Sequence, residues 1–90
     1  MADAGQTKSY KVTITANSSN DQDFSIRPVR IHVYTTSSTV HVLFDQSDDA
    51  TADDFLLNSE TESVFEVSSR RVSFYNDAGT SSTVFVSLEY

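Results

Sequence analysis

Ninety residues, 38% of them apolar and none of them cysteine, describe one small domain with a thin core and neither disulfides nor thiolate metal sites. Thirteen acidic residues against six basic ones leave a net charge of −7. That is the wrong sign for neutralising phosphates, so no nucleic-acid partner is expected. No stretch is apolar for long enough to cross a membrane, and MADAGQTKS at the start lacks the apolar run of a signal peptide.

Serine and threonine number 25 and valine, isoleucine and threonine 23, whereas glycine and proline total three. β-Branched residues favour the pleated, half-buried setting of a strand, and no window carries a helical stripe. The expected class is all-β: a small antiparallel β-sandwich, jelly-roll or Ig-like, of about seven strands. Residues 1–8 read as a flexible N-terminal arm and residues 9–90 as a single β-sandwich domain.

The first expected strand is Ser9–Ala16, with Tyr10, Val12, Ile14 and Ala16 inward. Asn17–Asp23 (NSSNDQD) reads as a loop. Phe24 and Ile26 then alternate up to Pro28, after which the inward positions become odd-numbered. A bulge or corner at Pro28 follows, since proline cannot donate to a ladder.

Val29–Phe44 (VRIHVYTTSSTVHVLF) has the alternation of two strands about a polar break, and a hairpin is expected. Folding it between Thr36 and Ser37 faces Val29, Ile31 and Val33 with Phe44, Val42 and Val40 on the inner side. On the outer side Tyr34 faces Thr39, His32 faces His41 and Arg30 faces Leu43. Asp45–Asp54 follows as a long acidic connection, then the apolar segment Phe55–Leu57 and a strand Val64–Val67. Val72–Tyr75 and Thr83–Tyr90 form a second expected hairpin, with Phe74 and Val72 facing Val84 and Val86 inward. Tyr75 and Phe85 point outward.

Three groups invite chemistry. Two imidazoles facing each other across a ladder, His32 and His41, are close enough to share a metal or to form a pH-sensitive contact. Zinc, however, takes three or four ligands, and the neighbouring Tyr34, Arg30, Thr39 and Leu43 supply none that is strong. The Asp45–Asp54 loop fails the helix–loop–helix calcium pattern at Ser47, Ala50 and Leu56, so a solvated loop with turn-capping aspartates is expected. Arg70–Arg71, the one basic pair, reads as a solvated turn. No serine or cysteine nucleophile is paired with a histidine and an acid, and Gly5 and Gly79 are isolated, so neither an enzyme nor a cofactor or metal site is expected.

The outward apolar residues are the better indication. His32, Tyr34, His41, Leu43, Tyr75 and Phe85 form the candidate partner interface, because large exposed side chains on so small a domain suggest burial against other chains.

Ile31–Tyr34, Val40–Phe44, Ala50–Leu57, Val72–Tyr75 and Thr83–Leu88 together resemble the small all-β structural proteins of tailed-phage virions. That resemblance implies a non-enzymatic, virion-located capsid decoration or cement protein, homo-oligomeric, with the major capsid protein or other virion proteins as partners. Its alternatives are a neck or tail adaptor, a fibre component, or a glycan-binding β-sandwich module.

Overall fold

The computed structural model describes residues 7–90 and contains eight strands. They are β1 (Thr7–Ile14), β2 (Ser18–Asp23), β3 (Arg30–Thr35), β4 (Val40–Leu43), β5 (Phe55–Leu56), β6 (Ser63–Phe65), β7 (Arg71–Asn76) and β8 (Ser82–Glu89). β1 starts at Thr7, so two residues assigned to the arm belong to the sheet, and the remainder of the arm lies outside the described residues.

Strand pairing follows one rule. β1 pairs with β8, β2 with β7, β3 with β6 and β4 with β5, all antiparallel, as if the chain were folded once about the β4–β5 connection. Successive rungs of this long hairpin fall alternately in two sheets. Cross-pairing of β3 with β8 and of β4 with β7 completes the orders β1-β8-β3-β6 and β2-β7-β4-β5. Two four-stranded antiparallel sheets wound this way form a jelly-roll β-sandwich.

Both expected hairpins are therefore corrected. β3 and β4 lie in different sheets, as do β7 and β8. The linker 36–39 carries the chain across the sandwich, knitted by its own hydroxyls. Thr35 Oγ1 donates to the Thr83 carbonyl at 2.9 Å and accepts from the Ser37 amide at 3.1 Å. The linker 77–81 makes the return crossing around Asn76. Its Oδ1 accepts from Thr39 Oγ1, the Ala78 amide and Ser82 Oγ, and its Nδ2 donates to the carbonyls of Ile14 and Thr80. Asn76 is fully buried, yet every polar atom of its side chain is engaged, which is what makes its burial tolerable.

The inward residues survive the change of pairing, because two strands facing a core from opposite sheets alternate just as two strands of one hairpin do. Val12, Ile14, Ile31, Val33, Val40, Val42, Val72, Phe74, Val84, Val86 and Leu88 all pack in one buried cluster. Two expected inward residues fall outside it: Ala16, half-buried beyond the end of β1, and Val29. Val29 is 55% exposed, just beyond the Pro28 corner where the chain passes from one sheet to the other.

The largest omission is β2. Its sequence SSNDQD has no apolar residue, but it pairs along its whole length with the buried strand β7. Polar side chains suit its place at the sheet edge, where they discourage pairing with other chains. Its ends are tied down nearby: Phe24 is buried against Tyr10, with ring centroids 5.5 Å apart, and the Asn17 amide donates to the Ala78 carbonyl.

Candidate functional site

The two sheets present different outer faces, and the six candidate interface residues divide between them. His41, Leu43 and Tyr75 belong to the outer face of β2-β7-β4-β5; His32, Tyr34 and Phe85 belong to that of β1-β8-β3-β6. His32 and His41 are thus in separate sheets, which pack about 10 Å apart with the core between them. Neither a shared metal nor an imidazole–imidazole contact is formed. Among the described residues no three histidine, cysteine or acidic side chains converge as a metal site, which applies equally to the acidic loop.

The face carrying His41 is covered. The Asp45–Asp54 loop folds back over it, and Arg71 holds it there. Arg71 Nη1 donates to the carbonyls of Asp45 and Asp48 at 3.0 and 2.6 Å, Nη2 to Asp49 Oδ1 at 2.7 Å, and Nε to Asp21 Oδ2 at 3.0 Å. Burial works against the guanidinium charge, but the hydrogen bonds to Asp49 and Asp21 outweigh it and raise the Arg71 pKa above its ordinary value. The solvated-turn expectation for Arg71 is corrected: the residue is 8% exposed. Beneath the loop the Ala50 amide donates to Ser73 Oγ at 2.8 Å, and His41 Nδ1 lies 2.9 Å from the Asp54 carbonyl. Asp45 caps its turn as expected, accepting from the Ser47 and Asp48 amides; these bonds hold its carboxyl below the ordinary range.

The other face is open and concave. Three neighbouring strands place Ser9, Ser87 and His32 in one row and Lys11, Phe85 and Tyr34 in the next. The two serines are small, so a hollow of about 390 Å³ forms above them between taller side chains. Lys11, Phe85 and Tyr34 make one wall, and His32 with Glu62 makes another. Phe85 is 49% exposed and Tyr34 37%, which leaves aromatic surface available to a bound molecule.

A chain of charges fixes the His32 wall. Arg30 Nε and Nη2 donate to the two oxygens of Glu89 at 3.2 Å each, a bidentate pair. His32 Nε2 sits against Glu89 Oε2, and its Nδ1 lies 3.4 Å from Glu62 Oε2. The Arg30 and His32 hydrogen bonds hold the Glu89 carboxyl below its usual range, while Glu89 raises the Arg30 pKa. Ser87 is the register neighbour of His32, but both ring nitrogens face carboxylates. No nitrogen is left to accept a serine proton, so a nucleophilic serine–histidine arrangement is not assembled here.

Of this cleft, the outward residues His32, Tyr34 and Phe85 were legible from alternation. Ser9, Lys11 and Ser87 were not, because their meeting with these depends on β8 lying between β1 and β3, nor was Glu62, which β6 brings to His32 by pairing with β3. Lys11, between the inward Tyr10 and Val12, is outward by the same alternation; only the pairing of its strand was missing.

The chain matches no protein-family model and no curated protein sequence. Among solved structures it is similar to the Cupin_2 domain of an XRE-family transcriptional regulator from Enterobacter cloacae. The TM-score is 0.65 at 10% identity, over 93% of this chain and 81% of that domain. A likeness at that identity shows a shared fold. The small β-sandwich shares its fold with that domain.

This likeness corrects the expectation of a phage decoration or cement protein, together with its neck, tail, fibre and glycan-binding alternatives. The structural relative is a domain of a transcriptional regulator, with no link to a capsid.

Proposed function

We propose that this chain is a small-molecule-binding domain with a cupin-type fold, and that the cleft on the outer face of β1-β8-β3-β6 receives the ligand. The observation that carries this reading is the cleft itself. Its volume of about 390 Å³ falls in the range of small-molecule sites, and aromatic walls stand beside a few convergent polar groups. The inward positions of the sandwich are filled by an apolar cluster, which favours an external site over one between the sheets. The similar domain belongs to a transcriptional regulator, and a module that reports ligand occupancy to another domain or protein suits that setting. The domain binds its ligand without transforming it, His32 serving as a fixed hydrogen-bonding wall.

A fragment screen monitored by amide chemical shifts tests the assignment. Ligands should move the resonances of Ser9, Lys11, His32, Tyr34, Phe85 and Ser87 together. Ser87→Trp fills the hollow from an outward position and should abolish those shifts while the thermal midpoint stays within a few degrees. Binding confined to other surfaces, or undiminished in Ser87→Trp, would overturn the reading.

A further inference from the structure

We infer that the cleft selects a planar ring bearing a single carboxylate, with the carboxylate at Lys11 and the ring against Phe85 and Tyr34. This rests on the cleft being the ligand site, and it names what the site accepts. The charges on the two walls differ in kind. Among the described residues Lys11, like Lys8, Arg27 and Arg70, has no acidic partner within 4.0 Å, and of these four it is the one that lines the cleft; Arg30 and Arg71 are each committed to carboxylates. In a chain of net charge −7 the Lys11 ammonium is a localised point of anion attraction in this cleft.

Lys11 is the direct register partner of Phe85, and Phe85 that of Tyr34. With strands about 4.8 Å apart, the ammonium stem and two rings span roughly 10 Å in one row. A flat ring covers that row with its carboxylate at the Lys11 end. The far wall sets the upper limit on charge. Glu62, held beside His32, meets a second anionic group with like-charge repulsion but accepts a hydrogen bond from a hydroxyl. The hydroxyls of Ser9 and Ser87 on the floor are within the same hollow and supply further hydrogen bonds. A hydroxyaryl monocarboxylate satisfies each of these groups; a dicarboxylate or an arylamine does not.

The test is a titration of the intact chain with five probes: benzoate, 4-hydroxybenzoate, terephthalate, benzyl alcohol and benzylamine. Binding is read from shifts of the cleft amides. The expected order places 4-hydroxybenzoate first, ahead of benzoate, and about tenfold or more tighter than benzyl alcohol, benzylamine or terephthalate. Lys11→Met, at an exposed position, should remove the carboxylate advantage and leave benzyl alcohol binding unchanged. Glu62→Gln should bring terephthalate up to the level of benzoate. If benzyl alcohol or benzylamine binds the cleft as tightly as benzoate, or Lys11→Met leaves the preference intact, the ligand class is wrong and the cleft remains a binding site. If none of the five shifts the cleft amides and the broader fragment screen also leaves them unmoved, both readings fall.

Discussion

Arg71 Nη2 donates to Asp49 Oδ1 across 2.7 Å, joining the outer face of one sheet to the loop that covers it. The same guanidinium binds two carbonyls of that loop and a carboxylate of the edge strand β2. One side chain thereby holds the polar edge strand β2 and a ten-residue loop against the sandwich.

Arg71→Met should cost about 2–3 kcal/mol, the scale of lost hydrogen bonds to a charged group with little exposure. Urea unfolding measures the loss. Hydrogen exchange supplies the local signature: the Ala50 amide, bonded to Ser73 Oγ, should lose protection more than the amides of β8. Arg71→Lys should recover little, because an ammonium cannot reproduce the fork that reaches four acceptors.

Acid should destabilise the fold through Glu89 and Asp45. Both carboxyls titrate below their ordinary values in the folded chain, Glu89 through Arg30 and His32, Asp45 through the Ser47 and Asp48 amides. A depressed carboxyl contributes stability that is fully present above its unfolded pKa, near 4 for these residues, and lost as pH falls through the lower folded value. The urea midpoint should therefore hold, as far as these two groups govern it, down to about pH 5 and decline below about pH 4. Glu89→Gln should make that decline shallower; an unchanged profile in this variant would remove Glu89 from the account.

Glu60 sits at φ 59° in the connection between β5 and β6, where its amide donates to the Thr35 carbonyl at 2.7 Å. A Cβ in this left-handed region clashes with backbone, and glycine has none. Glu60→Gly should gain about 0.5–1 kcal/mol, raising the thermal midpoint by roughly 2–6 °C in a domain of this size. Glu60→Ala keeps the clash and should show no gain, which separates backbone relief from loss of the charge.

Asn76 links the crossing linkers at one end of the sandwich through five hydrogen bonds. Asn76→Leu, which keeps the branching and heavy-atom count but is bulkier and apolar, leaves the buried partners unpaired and should cost about 2–4 kcal/mol by denaturant titration. A loss below 1 kcal/mol would mean that the linkers hold themselves.

Alternation identified which residues face the core, because the buried face of a strand has period two whatever strand lies beside it. Ile31, Val33, Val40, Val42, Val72, Phe74, Val84 and Val86 were all readable in this way. Alternation is silent about partners, and the hairpin is the most local way to satisfy it. The real partner of Ile31 on one side is Leu88, distant in the chain, and no local pattern encodes that pairing. β2 escaped detection for a different reason: a polar edge strand is defined by the strand it joins and carries no apolar signature. The cleft was half legible for the same cause, since Tyr34 and Phe85 announce themselves by being large and outward, while Ser9 and Ser87 matter only by lying between them.

The position of β8 between β1 and β3 governs when the protein is able to assemble. As the chain leaves the ribosome, the first and third strands emerge with no common neighbour. Their facing edges stay unpaired until β8 arrives between them. The other sheet, β2-β7-β4-β5, and the β3–β6 pair need no β8, so only the closing of this one sheet waits for it. So many distant pairings place folding in the millisecond-to-second range typical of non-local β topologies. Until β8 arrives the edges of β1 and β3 offer unpaired backbone, and like charge in a chain of net charge −7 opposes their pairing with other copies.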